Sequence, residues 1–101
     1  MSSKVVTLDV NGNDVLLSFF VQTFFDKVLD GMVGALESAC QVETLELKAG
    51  AGDTTLTVNG TSISMNEFVR TAFRNTTRGM ISSLRGIDKI DTFIIRIGGG
   101  K

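Results

Sequence analysis

Apolar and polar positions alternate from Val6 through Leu8 to Val10, the two-residue period of a strand with one buried face. Asn11-Gly12 follows, a pair that suits a tight hairpin because both turn residues must take positive φ. A short return strand is expected around 15–17. At Ser18 the period changes to that of a helix, with Phe20, Val21, Phe24, Phe25, Val28, Leu29, Met32 and Leu36 recurring at three- and four-residue steps. Ser18 is the expected N-cap, since its hydroxyl can accept a hydrogen bond from an orphan helical N–H. The spacing predicts a helix to about Ser38 and a closing strand over 42–48.

The same series then starts again. Residues 5–50 lie over 53–98 at an offset of 48 without a gap, pairing Leu8 with Leu56, Asn11-Gly12 with Asn59-Gly60 and Phe20-Val21 with Phe68-Val69. Phe25 falls on Phe73, Gly31-Met32 on Gly79-Met80, and Leu36 on Leu84. Ser18 and Asn66 stand at equivalent positions as caps. The reading is an internal duplication of a ββαβ unit, 5–50 and 53–98, within one domain spanning 1–101. The link Ala49-Gly50-Ala51-Gly52 is expected to be a flexible turn, and the tail from Ile97 to Lys101 to be frayed. One unit is too small for a core of its own. Two related by a pseudo-twofold axis can share an antiparallel sheet with both helices on one face, an α+β domain of ferredoxin-like or saddle-like shape.

On a helical projection of about 100° per residue, an apolar arc from Phe20 and Phe24 to Phe25 and Leu29 fills half of the first helix, and Phe68, Val69, Phe73 and Leu84 repeat it on the second. These arcs are expected to bury against the sheet. Gly31 and Gly79 sit inside the helices, where glycine costs about 1 kcal/mol against alanine. A tight contact between the two helices is the expected reason. On the opposite faces Arg70, Arg74, Arg78 and Arg85 of the second helix align with Gln22, Asp26, Asp30 and Glu37 of the first, so three of four pairs reverse sign. Val33 and Ile81 are expected at the apolar centre of these outer faces, with Phe19 beside them.

Composition narrows the function. The chain has 101 residues and a net charge of −1, with no His, Trp, Tyr or Pro and a single Cys. Without His the usual general base near neutral pH and the commonest transition-metal ligand are missing. One Cys excludes an internal disulfide and a Cys-cluster zinc site. Cys40 lies at the expected C-terminus of a helix, where the local field raises a thiol pKa. Asp26 and Asp30 stand one helical turn apart but read as a solvated acidic face, and Asp88 and Asp91 as turn residues. No nucleophile–base pair, phosphate loop or metal motif is present, so no catalytic, cofactor-binding or metal-binding residue is expected, and the domain reads as non-enzymatic. Charges interrupt the most apolar stretch, 15–39, which argues against a membrane span. With no signal-peptide pattern, a cytoplasmic setting is expected.

Val58-Asn59-Gly60, Asn66, Phe68-Val69, Gly79-Met80, Ser82-Ser83-Leu84 and Gly86, followed by an Ile-rich strand, resemble a pattern in small uncharacterised archaeal proteins. The resemblance covers about the second half of the chain and brings no activity with it. It implies an archaeal-type cytosolic protein whose single-unit relatives pair as homodimers.

The charge asymmetry points to a partner. Residues 1–50 carry three Lys against seven acids, and residues 51–101 carry seven bases against four acids. A pair of solvated faces with drifted charge is the blander account. The sharper expectation is self-association, the acidic helix of one molecule docking on the basic helix of another. RNA or anion binding at the Arg stripe is the alternative, weakened by the lack of interleaved aromatics and of net basic charge.

Overall fold

The computed structural model describes residues 4–36, 42–50, 52–87 and 89–99. Glu37, Cys40, Ala51 and Asp88 lie outside the described residues. The elements follow as β1 (Lys4–Val10), β2 (Asn13–Val15), α1 (Phe19–Ala35), β3 (Leu45–Gly50), β4 (Asp53–Val58), β5 (Thr61–Ser62), α2 (Glu67–Ser82) and β6 (Phe93–Gly99). The fold is α+β. All the strands join one antiparallel sheet in the order β2-β1-β6-β3-β4-β5. The strands that follow the helices, β3 and β6, are therefore central, and the hairpins lie outside them.

The alternating pattern becomes three rows across the four long strands. Val6, Ile97, Leu45 and Val58 face one another in the first row, and Leu8, Ile95, Leu47 and Leu56 in the second. Val10, Phe93, Ala49 and Thr54 form the third. Every one of these residues is buried, whereas their neighbours Thr7, Lys48, Thr55 and Arg96 are exposed. One face of the sheet is thus core and the other meets solvent, the usual economy of an antiparallel sheet. Phe25, Leu29 and Val33 of α1 and Phe73, Thr77 and Ile81 of α2 close the core. The result is a slab measuring 36 × 35 × 18 Å between Cα extremes.

Both Asn-Gly pairs form two-residue turns as expected, with φ of 54° at Asn11 and 53° at Asn59. Their side chains have a second role that the sequence reading missed. Asn11 Nδ2 donates to the Lys89 carbonyl at 2.7 Å, and its Oδ1 accepts from Asp91 N at 2.8 Å and Thr92 N at 3.0 Å. Asn59 Oδ1 likewise accepts from Glu43 N at 2.8 Å and Thr44 N at 3.0 Å. Each hairpin turn therefore clamps the segment entering a central strand of the other half. These clamps hold 43–44 and 91–92 out of the ladder, so β3 and β6 begin three residues later than the pattern predicts.

Other boundaries shift as well. The helices are capped where expected, by Ser18 Oγ accepting from Val21 N at 3.2 Å and Asn66 Oδ1 from Val69 N at 2.8 Å. They stop at Ala35 and Ser82, short of the predicted ends. Return strands begin directly after the turns, at Asn13 and Thr61, because a two-residue loop leaves no slack. The link between the halves is a tight hairpin in which Gly50 pairs with Asp53 and Gly52 takes φ of 82°. Gly98 and Gly99 are not frayed: they pair with Val5 and Lys4.

Candidate interaction surface

The helices sit on the sheet in an orientation the apolar arc did not predict. Steps of four residues at about 100° each drift by roughly 40°, so a helix crossing a sheet at a slant buries a ridge such as 25, 29 and 33. Val33 is 1% exposed and Ile81 0%. The expectation that they centre an outer docking face is overturned: both belong to the core. The arc of each helix is wider than one sheet can cover, so its other edge is left outside. Phe20 is 72% exposed, Phe24 48% and Phe68 78%, against the expectation that all three are buried.

These phenylalanines form an outer surface of their own. The rings of Phe20 and Phe24 stack at 6.1 Å between centroids. They line a groove of about 520 Å³ between the helices, whose far wall is Thr76, Gly79, Met80, Ser83 and Leu84 of α2. The first turns of α1 hence lie beside the last turns of α2, and the two helices run in opposite directions. At about 200 Å² for a phenylalanine, the exposed fractions of Phe20, Phe24 and Phe68 amount to about 400 Å² of aromatic surface. The stacked Phe20 and Phe24 contribute about 240 Å² of it as one continuous patch, and Phe68 stands apart at the start of α2.

Gly31 and Gly79 are not explained by helix contact within the chain. A Cβ built on either meets no atom within 4 Å, and both glycines are exposed. The predicted tight approach of the two helices does not occur, and they touch each other only slightly.

The charged residues flank this surface. Arg70, Arg74 and Arg78 lie on the side of α2 turned away from the groove. Arg70 Nη1 donates to the Met65 carbonyl at 2.9 Å, and Arg78 Nη2 to the Ile90 carbonyl at 2.9 Å. Two of the stripe's guanidinium groups thus tie α2 to the backbone of the segments that precede it and follow it. Gln22, 48 residues before Arg70, does similar work on α1: its Nε2 donates to the Leu17 carbonyl at 3.2 Å and its Oε1 accepts from Val6 N at 3.1 Å. Arg74 is half-buried and shares with Arg78 a cleft of about 430 Å³ floored by Gly50, Ile90 and Phe93. Arg85 is exposed but lies beyond α2, which ends at Ser82, so the stripe is shorter than predicted. On α1, Asp26 is half-buried and Asp30 exposed. Phe19, 72% exposed, sits on this acidic flank and not in the groove.

The open face of the sheet offers less. Arg96 Nε and Glu46 Oε2 form an exposed cross-strand ion pair at 2.7 Å. Asp9 faces Asp14 across β1 and β2, and the Asp14 hydrogen bond, then loss of solvent, then the Asp14 charge push its carboxyl above the ordinary range, against a smaller opposing pull from Arg96. Among the described residues no three His, Cys, Asp or Glu side chains gather as a metal site would require. Among them, too, no helix is long and apolar enough to cross a membrane. Family models, curated proteins and solved structures give no match to this chain.

Proposed function

We propose that the chain is a non-enzymatic protein-interaction module that associates with itself through the outer face of its helix layer. The observation carrying this reading is the exposure of Phe20, Phe24 and Phe68 on one face whose two flanks bear opposite charge. An apolar centre with a charged rim is the anatomy of a protein interface, the centre supplying affinity and the rim selecting the partner. The apolar centre of this face is Phe20, Phe24 and Phe68, not the buried Val33 and Ile81, and Asp26, Asp30, Arg74 and Arg78 are its rim. Binding of RNA or another anion at the arginines is less favoured, because the chain is not basic overall and no aromatic residue interleaves the arginines.

The element order, the ungapped offset of 48 and the matching turns at Asn11 and Asn59 support two tandem ββαβ repeats about a pseudo-twofold axis. With β3 and β6 innermost, a saddle-like sheet fits better than a ferredoxin-like one. A homodimer-like ancestor, as the archaeal resemblance implies, accords with such a duplication, and a cytoplasmic setting with the lone cysteine.

Light scattering after size exclusion, with refractive-index detection because Trp and Tyr are absent, tests the association. A dimer or larger species is expected at about 0.05 M salt, weakening as salt screens the rim. A monomer at every salt and at 1 mM chain refutes it.

A further inference from the structure

The geometry points to a closed, twofold dimer in which α1 of each copy lies over α2 of the other, and Phe20 and Phe68 of one copy seat over Gly79 and Gly31 of its mate. The inference rests on the self-association reading and adds the occupant, the register and the role of the helical glycines.

Each helix layer carries both halves of the fit. Phe20 and Gly79 line opposite walls of one groove between the helices. Because the helices run in opposite directions, Phe68 at the start of α2 correspondingly lies at the end of the layer that holds Gly31. A twofold axis running along the helices, between two stacked layers, keeps height along a helix and exchanges the sides. It therefore carries Phe20 of the second copy over Gly79 of the first, and Phe68 over Gly31. An interface of this kind must be self-complementary, since the same patch serves on both sides. Rings opposite glycines meet that demand. They also explain two exposed helical glycines whose Cβ position is open in the single chain. The aromatic face of about 400 Å² supplies half of the roughly 800 Å² per partner of a stable interface, and the rim can supply the remainder.

Charge selects this axis over its competitor. The acidic flank of α1 and the basic flank of α2 lie on opposite sides of the layer. The axis along the helices brings the Asp30 flank of one copy over the basic flank of the other, with Asp30 level with Arg70 in this register. The alternative in-plane axis, across the helices, stacks α1 on α1 and opposes acid to acid. Like charges set against each other suppress that pairing.

Three comparisons test it by light scattering and sedimentation. Gly79→Leu has room in the single chain, so its far-UV circular dichroism should match wild type while its dimer dissociates at least about tenfold more readily. A Gly79→Leu protein that is folded and still dimeric overturns the glycine seat, and Gly31→Leu repeats the test at the other end. Asp30→Arg and Arg70→Glu, each with a far-UV circular dichroism spectrum matching wild type, should each weaken the dimer by about tenfold or more. Combined in one chain they should restore it, and the double variant should not mix with wild type. Failure of the double variant to recover overturns this register while wild-type association stands. A wild-type monomer overturns the self-association reading itself, and the inference with it.

Discussion

Asn11 can be asked to separate its two duties. As the first residue of its turn it holds φ of 54°, which glycine adopts freely and alanine does not. As a clamp it makes three hydrogen bonds, to Lys89 O, Asp91 N and Thr92 N, at 2.7–3.0 Å. Asn11→Gly keeps the turn and deletes the clamp. At about 0.5–1.5 kcal/mol per bond, and with water able to replace part of each at this exposed site, the loss should be about 1–3 kcal/mol. Asn11→Ala removes the same bonds and adds about 1–2 kcal/mol for the left-handed backbone. Against a total stability of about 5–15 kcal/mol for a domain of this size, either change is large. Urea unfolding followed by far-UV circular dichroism should show a lower midpoint for Asn11→Gly, a still lower one for Asn11→Ala, and an unchanged slope. Asn59→Gly should behave similarly, since Asn59 holds Glu43 and Thr44 at 2.8 and 3.0 Å. An Asn11→Gly protein within about 0.5 kcal/mol of wild type would refute the clamp, and equal midpoints for the Gly and Ala variants would refute the backbone argument.

The buried hydroxyl of Thr77 has no hydrogen-bond partner; replacing it with the near-isosteric valine should raise stability by about 1 kcal/mol, read as a thermal shift of about 4–8 °C. Asp14→Asn should stabilise the chain modestly at neutral pH, because it removes the like charge beside Asp9, a smaller contributor to that raised carboxyl than the Asp14 hydrogen bond. That advantage should shrink as pH falls through the Asp9 titration, where protonation relieves wild type as well; a gap constant with pH, or of opposite sign, counts against it. Glu46→Gln should cost no more than about 0.5 kcal/mol and nothing in 1 M salt, since the pair is solvent-exposed.

The elements, their order and their caps were legible in the sequence because each rests on local chemistry. Period-two alternation shaped the rows of the sheet, Asn-Gly specified the turns, and Ser18 and Asn66 began the helices. Strand order, the clamps of Asn11 and Asn59, and the rotation of the helices were decided only by tertiary structure. The reason is the same for all three. A clamp across the chain joins residues about 80 apart in sequence, and no local pattern records such a pairing. An apolar arc half a helix wide does not say which of its edges a single sheet will cover. The sheet took Val33 and Ile81 and left Phe20, Phe24 and Phe68 outside, so the surface proposed for association was hidden in the sequence among residues that read as core.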